Sequence, residues 1–302
     1  MQSKLKSPNF FIVGAPKCGT TSLTEWLSTH PNIFMCKPKE PYFFSKDIKE
    51  QRAAITIQDY QKLFINAREN HKIIGEASTS YLRSTVAIQN ILMTIENPRF
   101  LVCLRNPIDL AISAHAQLVK TGQENIIDFK KAWAAQADRR HGKYIPWYCK
   151  EPSIYQYHQN CLLGEQVERM LNLVNYDNVH FVLLDDMIAN PKLVYIDILN
   201  FLDLDYDFRE DFNKLNTRME HKLPVIQLIF NSLSYIKYSL GFRTKTRIFD
   251  RINNIFFLKP MDSTPNIRAN LHEYLMEFFY EDILKLERLL GRDLSSWRNL
   301  ES

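Results

Sequence analysis

Phe10-Phe11-Ile12-Val13-Gly14-Ala15-Pro16-Lys17-Cys18-Gly19-Thr20-Thr21-Ser22-Leu23-Thr24-Glu25-Trp26-Leu27 is the stretch on which the reading of this chain turns. Four apolar residues lead into a loop that carries two of the chain's 8 glycines. Leu23, Trp26 and Leu27 then recur at helical spacing. The order is strand, tight loop, helix. A strand that enters a helix through a glycine-bearing loop aims several backbone N–H groups at one point, and the helix dipole adds positive potential there. The stretch therefore predicts an anion site for a phosphate-like group, built from Ala15, Pro16, Lys17, Cys18, Gly19, Thr20, Thr21 and Ser22.

Outward from it, apolar runs alternate with helical segments. Strands are predicted at 10–13, 32–36, 72–75, 100–104 and 179–184. Helices are predicted at 20–29, 57–67, 86–95, 107–121, 126–140, 153–174, 191–202 and 266–290. Strands that are apolar throughout, separated by helices, imply an α/β fold. The expected architecture is a central parallel sheet flanked by helices on both faces, as in P-loop nucleotide-binding proteins, with a helical C-terminal insert. Ligands of such sheets bind at the carboxyl ends of the strands. Gly14, Gly75 and Arg105 are each expected just past a strand, lining one crevice. At 302 residues a single elaborated domain, 1–302, is expected, with 216–260 as a helical, basic-aromatic insert or lid.

The loop departs from a Walker A motif. That motif places Lys directly after its second glycine, followed by Ser or Thr for magnesium. Here Thr20 follows Gly19, and the lysine comes earlier, at Lys17. A lysine at that point reaches a bridging oxygen between the bound group and the group transferred. The missing magnesium position favours a transferred group with less charge than a phosphoryl, and a sulfuryl group fits. Arg105 is a second anchor: it follows the 100–104 strand, and its fork suits a phosphate. Ser113 stands eight residues on, about two helical turns into the next helix.

Residues 9–23 resemble the 5′-phosphosulfate loop of sulfotransferases that use 3′-phosphoadenosine 5′-phosphosulfate (PAPS). His30-Pro31 and Lys39-Glu40-Pro41-Tyr42-Phe43-Phe44 are similar to the stretch that follows this loop in bacterial and heparan-type members. Leu104-Arg105-Asn106-Pro107-Ile108-Asp109-Leu110-Ala111-Ile112-Ser113 resembles the family's 3′-phosphate segment. Leu290-Gly291-Arg292-Asp293-Leu294 with Trp297 looks like the ending of bacterial members. The resemblance runs from about 9 to about 298 and is weak between 205 and 265. It implies PAPS as donor, PAP as product and no required metal. It also implies that Arg105 and Ser113 hold the 3′-phosphate, and that Asn216-Thr217-Arg218 with Lys222 forms a basic lid over the nucleotide.

Transfer of a sulfuryl group needs a base for the proton of the attacking hydroxyl or amine. Glu40 precedes the apolar Tyr42-Phe43-Phe44, and an apolar wall would raise its pKa. The resemblance assigns it the base. Glu76, after the 72–75 run, is the second candidate. Lys17 is the electrostatic catalyst, a fixed cation beside the oxygen on which charge develops. His115 is expected to be structural or to face the acceptor. Tyr144, Trp147, Tyr148 and Tyr155 are aromatic surface for an acceptor or adenine, unless they are core.

Composition narrows the partners. A formal charge of +4 does not support a nucleic-acid surface. The 5 cysteines are odd in number and form no C-x-x-C pair, so neither a disulfide framework nor a zinc site is indicated. Cys18 in the loop would be a reactive thiol only with a lowered pKa. No run of 18 apolar residues and no signal peptide is visible, which leads to the expectation of a cytoplasmic enzyme. The basic and aromatic residues from Lys237 to Lys259 read as ordinary amphipathic helices, an acceptor wall, or, least favoured, a membrane contact. The expected acceptor is a hydroxylated small molecule of secondary metabolism. A carbohydrate or glycolipid sulfotransferase, an atypical P-loop kinase using Asp185-Asp186 for its metal, and a non-catalytic nucleotide-binding module are the alternatives.

Overall fold

The computed structural model describes residues 7–49, 52–212 and 264–299. The 216–260 insert and Arg218 lie outside the described residues. The chain divides into two compact units, one formed by Met1–Asn106, Leu162–Asn216 and Tyr280–Asn299, the other by Pro107–Cys161, Thr217–Phe279 and Leu300–Ser302.

The first unit is built on β1 (Phe10–Gly14), β2 (Ile33–Met35), β3 (Ile73–Ala77), β4 (Arg99–Leu104) and β5 (Val179–Leu183). They form one sheet in the order β2-β3-β1-β4-β5, with every pairing parallel. All residues of β1 and β3 are buried, as a sheet covered on both faces requires. Phe11 packs between Phe44 and Phe100, with ring centroids 6.1 and 5.8 Å away. Each such buried side chain contributes roughly 1.5–3 kcal/mol. α1 (Thr20–Ser28) buries Leu23, Trp26 and Leu27, the stripe its sequence spacing predicts. α2 (Ile57–Lys62) starts at Thr56, whose hydroxyl accepts the Asp59 N–H, and α3 (Ala87–Thr94) buries Ala87, Ile88 and Ile91.

Parallel pairing brings the carboxyl ends of β3, β1 and β4 side by side. The turn after β3 is tied to β1, with Ser78 N–H donating to Ile12 O (3.0 Å) and Leu82 N–H to Val13 O (2.8 Å). The C-terminal segment closes the same unit. Asp282 accepts the N–H groups of Gly164 and Glu165 at the start of helix Leu163–Leu171 (2.8 and 2.9 Å). Gly164 has no room for a side chain there, since a Cβ would lie 2.4 Å from Asp282 O. Trp297 donates its indole N–H to Asp185 (2.7 Å), and its carbonyl accepts from Asn106 (2.9 Å), the residue after Arg105.

The second unit holds α4 (Pro107–Lys120) and the short helices Phe129–Ala134, Gln136–Arg140 and Tyr157–Cys161. Its core contains a buried ion pair. Arg139 grips both oxygens of Glu124 (2.6 and 2.7 Å), and Tyr157 OH adds a third bond (2.6 Å). Trp133 packs edge-on against Phe278 and Phe279 of the long helix Thr264–Leu290, so the C-terminal segment is helical as expected.

Four expectations change. The 57–67 helix ends at Lys62 and continues as turns. β3 continues to Ala77, so Gly75 lies inside the strand and not past it. A Cβ at Gly75 would meet Met35 Sδ at 2.6 Å and Phe10 Cδ1 at 2.9 Å, so this glycine serves strand packing rather than the crevice. The 126–140 helix is two helices that begin only after the Asp128 cap. The 153–174 helix is a 3-10 turn (Pro152–Tyr155) and two helices that break at Leu162, whose backbone leaves the helical region (ψ 77°) where Asp282 caps the next helix.

Candidate active site

The loop after β1 owes its shape to three residues with positive φ: Gly14 (147°), Lys17 (64°) and Gly19 (81°). At Gly14 a Cβ would sit 2.9 Å from both Thr79 O and Leu82 Cβ, so only glycine admits the approach of the β3 turn. Gly19 is the cap residue of α1 in the left-handed conformation, and no side chain among the described residues caps that helix. The first N–H groups of a helix have no partners within it. Gly19, Thr20 and Thr21 thus open α1 towards the loop mouth with the positive end of its dipole.

The eight loop residues do not play one role. Ala15 is buried and its N–H donates to Cys103 O (2.6 Å), so its amide is committed to the sheet edge. Cys18 is sealed from solvent, with its thiol on Pro16 O (3.4 Å), and burial pushes the thiol up to about 12. It is not a nucleophile. Thr20 and Ser22 are buried, whereas Lys17 is exposed on the loop.

Arg105 follows β4, and its guanidinium donates to Lys17 O (3.3 Å). The structure thus brings the sequence-predicted arginine to the loop itself, so that cationic and helix-terminal donors share one rim. Ser113 is buried within α4 in the second unit.

Glu40 sits in a left-handed turn (φ 62°) whose N–H donates to Ala77 O (2.9 Å), at the end of β3. Its carboxylate accepts from Thr79 N–H (2.9 Å) and the Thr79 hydroxyl (3.2 Å), and pairs with Lys39 Nζ (2.5 Å). The expected apolar wall is absent from these contacts: a backbone amide, a hydroxyl and an ammonium surround the group. Phe43 and Phe44 turn away instead, into a ring cluster with Tyr60.

Glu76 is where the sequence reading differs most from the structure. It is 1% exposed, so it cannot receive a proton from an acceptor at the loop mouth. Burial pushes its carboxyl up to about 8, against the bonds from Tyr81, Tyr60 and Ser78 that favour the ionised form. Asp185 and Asp186, the metal candidates of the kinase alternative, are engaged by Trp297 and by the Arg292 guanidinium (2.5 Å to Asp186 Oδ1).

In the second unit, His115 is buried. Its Nε2 lies 2.8 Å from Ile126 O, its ring stands between Phe129 and Tyr157, and burial lowers its pKa: it is structural. Tyr155 is core, with its hydroxyl on Gln123 O (2.5 Å), whereas Tyr144 and Trp147 are exposed. Sequence reasoning missed Lys39 and Thr79 as partners of Glu40. The lysine beside the glutamate was the one visible signal.

A family model described as a sulfotransferase domain matches residues 7–222. The chain belongs to this family. It is 27% identical to a solved sulfotransferase from Alicyclobacillus acidocaldarius, with a TM-score of 0.71 over 97% of this chain and 100% of that one. It is 32% identical over 110 residues to the membrane-associated sulfotransferase kil1 of Dictyostelium discoideum, covering 36% of this chain and 22% of that protein. It is 30% identical over 143 residues to human carbohydrate sulfotransferase 15, covering 34% and 26%. The chain therefore spans about a quarter of the length of these curated relatives. No helix among the described residues of this sulfotransferase-family chain is long and apolar enough to cross a membrane.

Proposed function

We propose that this chain transfers a sulfuryl group from PAPS to a hydroxyl of an acceptor. One observation carries the reading: Arg105 reaches the carbonyl of Lys17 at the mouth of a helix whose cap residue, Gly19, supplies no side chain, so two kinds of donor to an anion meet on one rim. That donor set fits a nucleotide with anionic groups at both ends. PAPS supplies a sulfuryl group carried on a phosphate leaving group. The N–H groups of Gly19, Thr20 and Thr21 hold the 5′-phosphate by hydrogen bonds and dipole. Lys17 stabilises the negative charge that develops on the bridging oxygen. Arg105 holds the 3′-phosphate as a fork. Ser113 is assigned to the same phosphate, and Arg218 to the nucleotide, from the resemblance alone.

Glu40 takes the proton from the acceptor hydroxyl. The two bonds from Thr79 fix its orientation, and Lys39 is the cation that must yield one carboxylate oxygen to the acceptor. Glu76 is left out of the proton transfer because it is sealed. The kinase alternative loses its metal candidates to Trp297 and Arg292.

The acceptor we favour is a hydroxylated small molecule. A sugar hydroxyl is the second reading, because the matched relatives include a carbohydrate sulfotransferase and a heparan sulfate N-deacetylase/N-sulfotransferase from Caenorhabditis briggsae. Cytoplasmic action is part of the proposal; fractionation with membranes would place it instead with the membrane-associated relative. The test is incubation with PAPS in EDTA against a panel of phenols, alcohols and sugars, followed by mass spectrometry. Sulfated product that disappears in Glu40→Gln supports the reading, and release of product only with Mg-ATP refutes it.

A further inference from the structure

Glu40 stands in a segment with an unusual backbone. Both Glu40 (φ 62°) and Tyr42 (φ 54°) occupy the left-handed region, which side chains with a Cβ rarely adopt. Such residues persist only where the surroundings over-determine them. A buried hydrogen-bond network lies under the segment. Tyr42 N–H donates to the Ser78 hydroxyl (3.1 Å), and Phe44 N–H donates to the Tyr81 hydroxyl (3.2 Å). Each hydroxyl accepts a loop amide with one lone pair and has its proton left to place. Ser78 donates it to Glu76 Oε2 (3.3 Å), and Tyr81 also hydrogen-bonds the Glu76 carboxyl. Tyr60 donates to the other oxygen, Oε1 (3.1 Å), but carries no loop amide.

We propose that Glu76 is a positioning residue for the base. Its buried carboxyl orients the Ser78 and Tyr81 hydroxyls as acceptors for the Tyr42 and Phe44 amides, and so holds the strained turn that presents Glu40 at the carboxyl end of β3. The inference rests on the sulfotransferase reading for its catalytic consequence, though not for the positioning itself. A carboxyl is suited to this task because both of its oxygens keep acceptor lone pairs, ionised or protonated. An amide in its place offers one oxygen and an NH2. The NH2 accepts nothing, so the hydroxyl that faces it loses its acceptor and must turn its proton elsewhere. Glu76→Gln is thus close to isosteric but wrong in polarity.

Two measurements on the full chain test this. The first is hydrogen exchange of segment 40–45, which needs no activity. Glu76→Gln should speed exchange of the Tyr42 and Phe44 amides and leave the α1 amides unchanged; unchanged exchange in 40–45 overturns the positioning. The second is transfer from PAPS to 4-nitrophenol, with PAP affinity measured by calorimetry. Misplacing the base should lower kcat on the order of 10- to 100-fold while PAP affinity holds. Ser78→Ala and Tyr81→Phe should reproduce the loss, since each removes an arm that carries a loop amide. Tyr60→Phe should not, although it removes an equally buried bond to the same carboxyl. Equal damage from Tyr60→Phe, or a parallel loss of PAP affinity in Glu76→Gln, would reduce Glu76 to a general stability role and overturn the proposal. If the wild type transfers no sulfuryl group at all, the functional reading fails, and the exchange experiment still decides the positioning.

Discussion

Gly19→Ala probes the loop at the point where its shape and its chemistry coincide. The substitution forces alanine into φ 81°, where a left-handed residue with a Cβ costs roughly 1–2 kcal/mol. The new Cβ would also lie 2.7 Å from Met187 Sδ and 3.1 Å from Leu184 Cδ1. Both are ends of flexible side chains, so the clash relaxes at a cost of about 1–3 kcal/mol. The lower entropy of the unfolded alanine chain returns about 0.4–1 kcal/mol. The net loss should be about 2–3 kcal/mol in urea denaturation. Met187→Ala separates the two parts, because it removes the shorter clash, with Met187, and leaves the strain and the milder Leu184 contact. In that background Gly19→Ala should cost about 1 kcal/mol, a coupling of about 1–2 kcal/mol between sites that touch. PAP affinity should fall in Gly19→Ala and partly return in the double variant. A cost below about 0.5 kcal/mol with intact PAP binding, or strict additivity, would refute the account of the loop.

Lys17→Ala should lower kcat on the order of 100-fold or more while PAP binding weakens far less; equal losses in the two would make Lys17 a binding residue only. Glu124→Gln leaves the Arg139 guanidinium buried without its counter-charge, both side chains being 0% exposed, and should cost about 3–5 kcal/mol in denaturation. Burial acts to raise the Glu124 pKa, but the Arg139 and Tyr157 bonds outweigh it and hold the group below the ordinary range, so no neutral form rescues the wild type at pH 7. Glu76 should give stability a pH dependence. Its carboxyl goes from 4.5 to about 8 on folding, so between those values the folded protein holds a proton that the unfolded chain has released. Stability relative to Glu76→Gln should therefore fall as pH rises from about 5 to about 8, by up to about 1.4 kcal/mol per pH unit, and level off above; parallel pH curves for the two proteins would contradict this.

The framework was legible because it depends on local pattern. The four-residue apolar run before Gly14 and the run at 100–104 could only be strands buried on both faces, and the glycine-bearing loop between strand and helix marked the carboxyl edge of the sheet. Arg105 was legible for the same reason, since its place directly after a strand sends it to that edge. What stayed hidden depends on pairings distant in sequence. The burial of Glu76 stayed hidden because Tyr60, which helps to seal it, comes from another segment, and because the turn after β3 folds Tyr81 back onto it in a way no local pattern announces. Glu40 was placed against an apolar wall from its neighbours Tyr42-Phe43-Phe44. A left-handed turn sends Phe43 and Phe44 into the core and leaves the carboxylate among polar donors. The break at Leu162 was equally unreadable, since its cap is Asp282, 118 positions from Gly164. Gly75 was misassigned because a glycine after an apolar run reads as a turn, whereas here the space it leaves is filled by Met35 and Phe10.

The central claim is that the loop from Gly14 to Thr21 and Arg105 together hold a nucleotide phosphorylated at both ends. Calorimetric titration in EDTA with PAP and with adenosine 5′-phosphate, on the wild type and on Arg105→Ala, tests it most directly. The account predicts that the wild type binds PAP without metal and prefers it over adenosine 5′-phosphate, and that Arg105→Ala erases the preference while keeping the 5′-phosphate contribution. A wild type that binds Mg-ATP more tightly than PAP, or an Arg105→Ala variant that retains the preference, would contradict it.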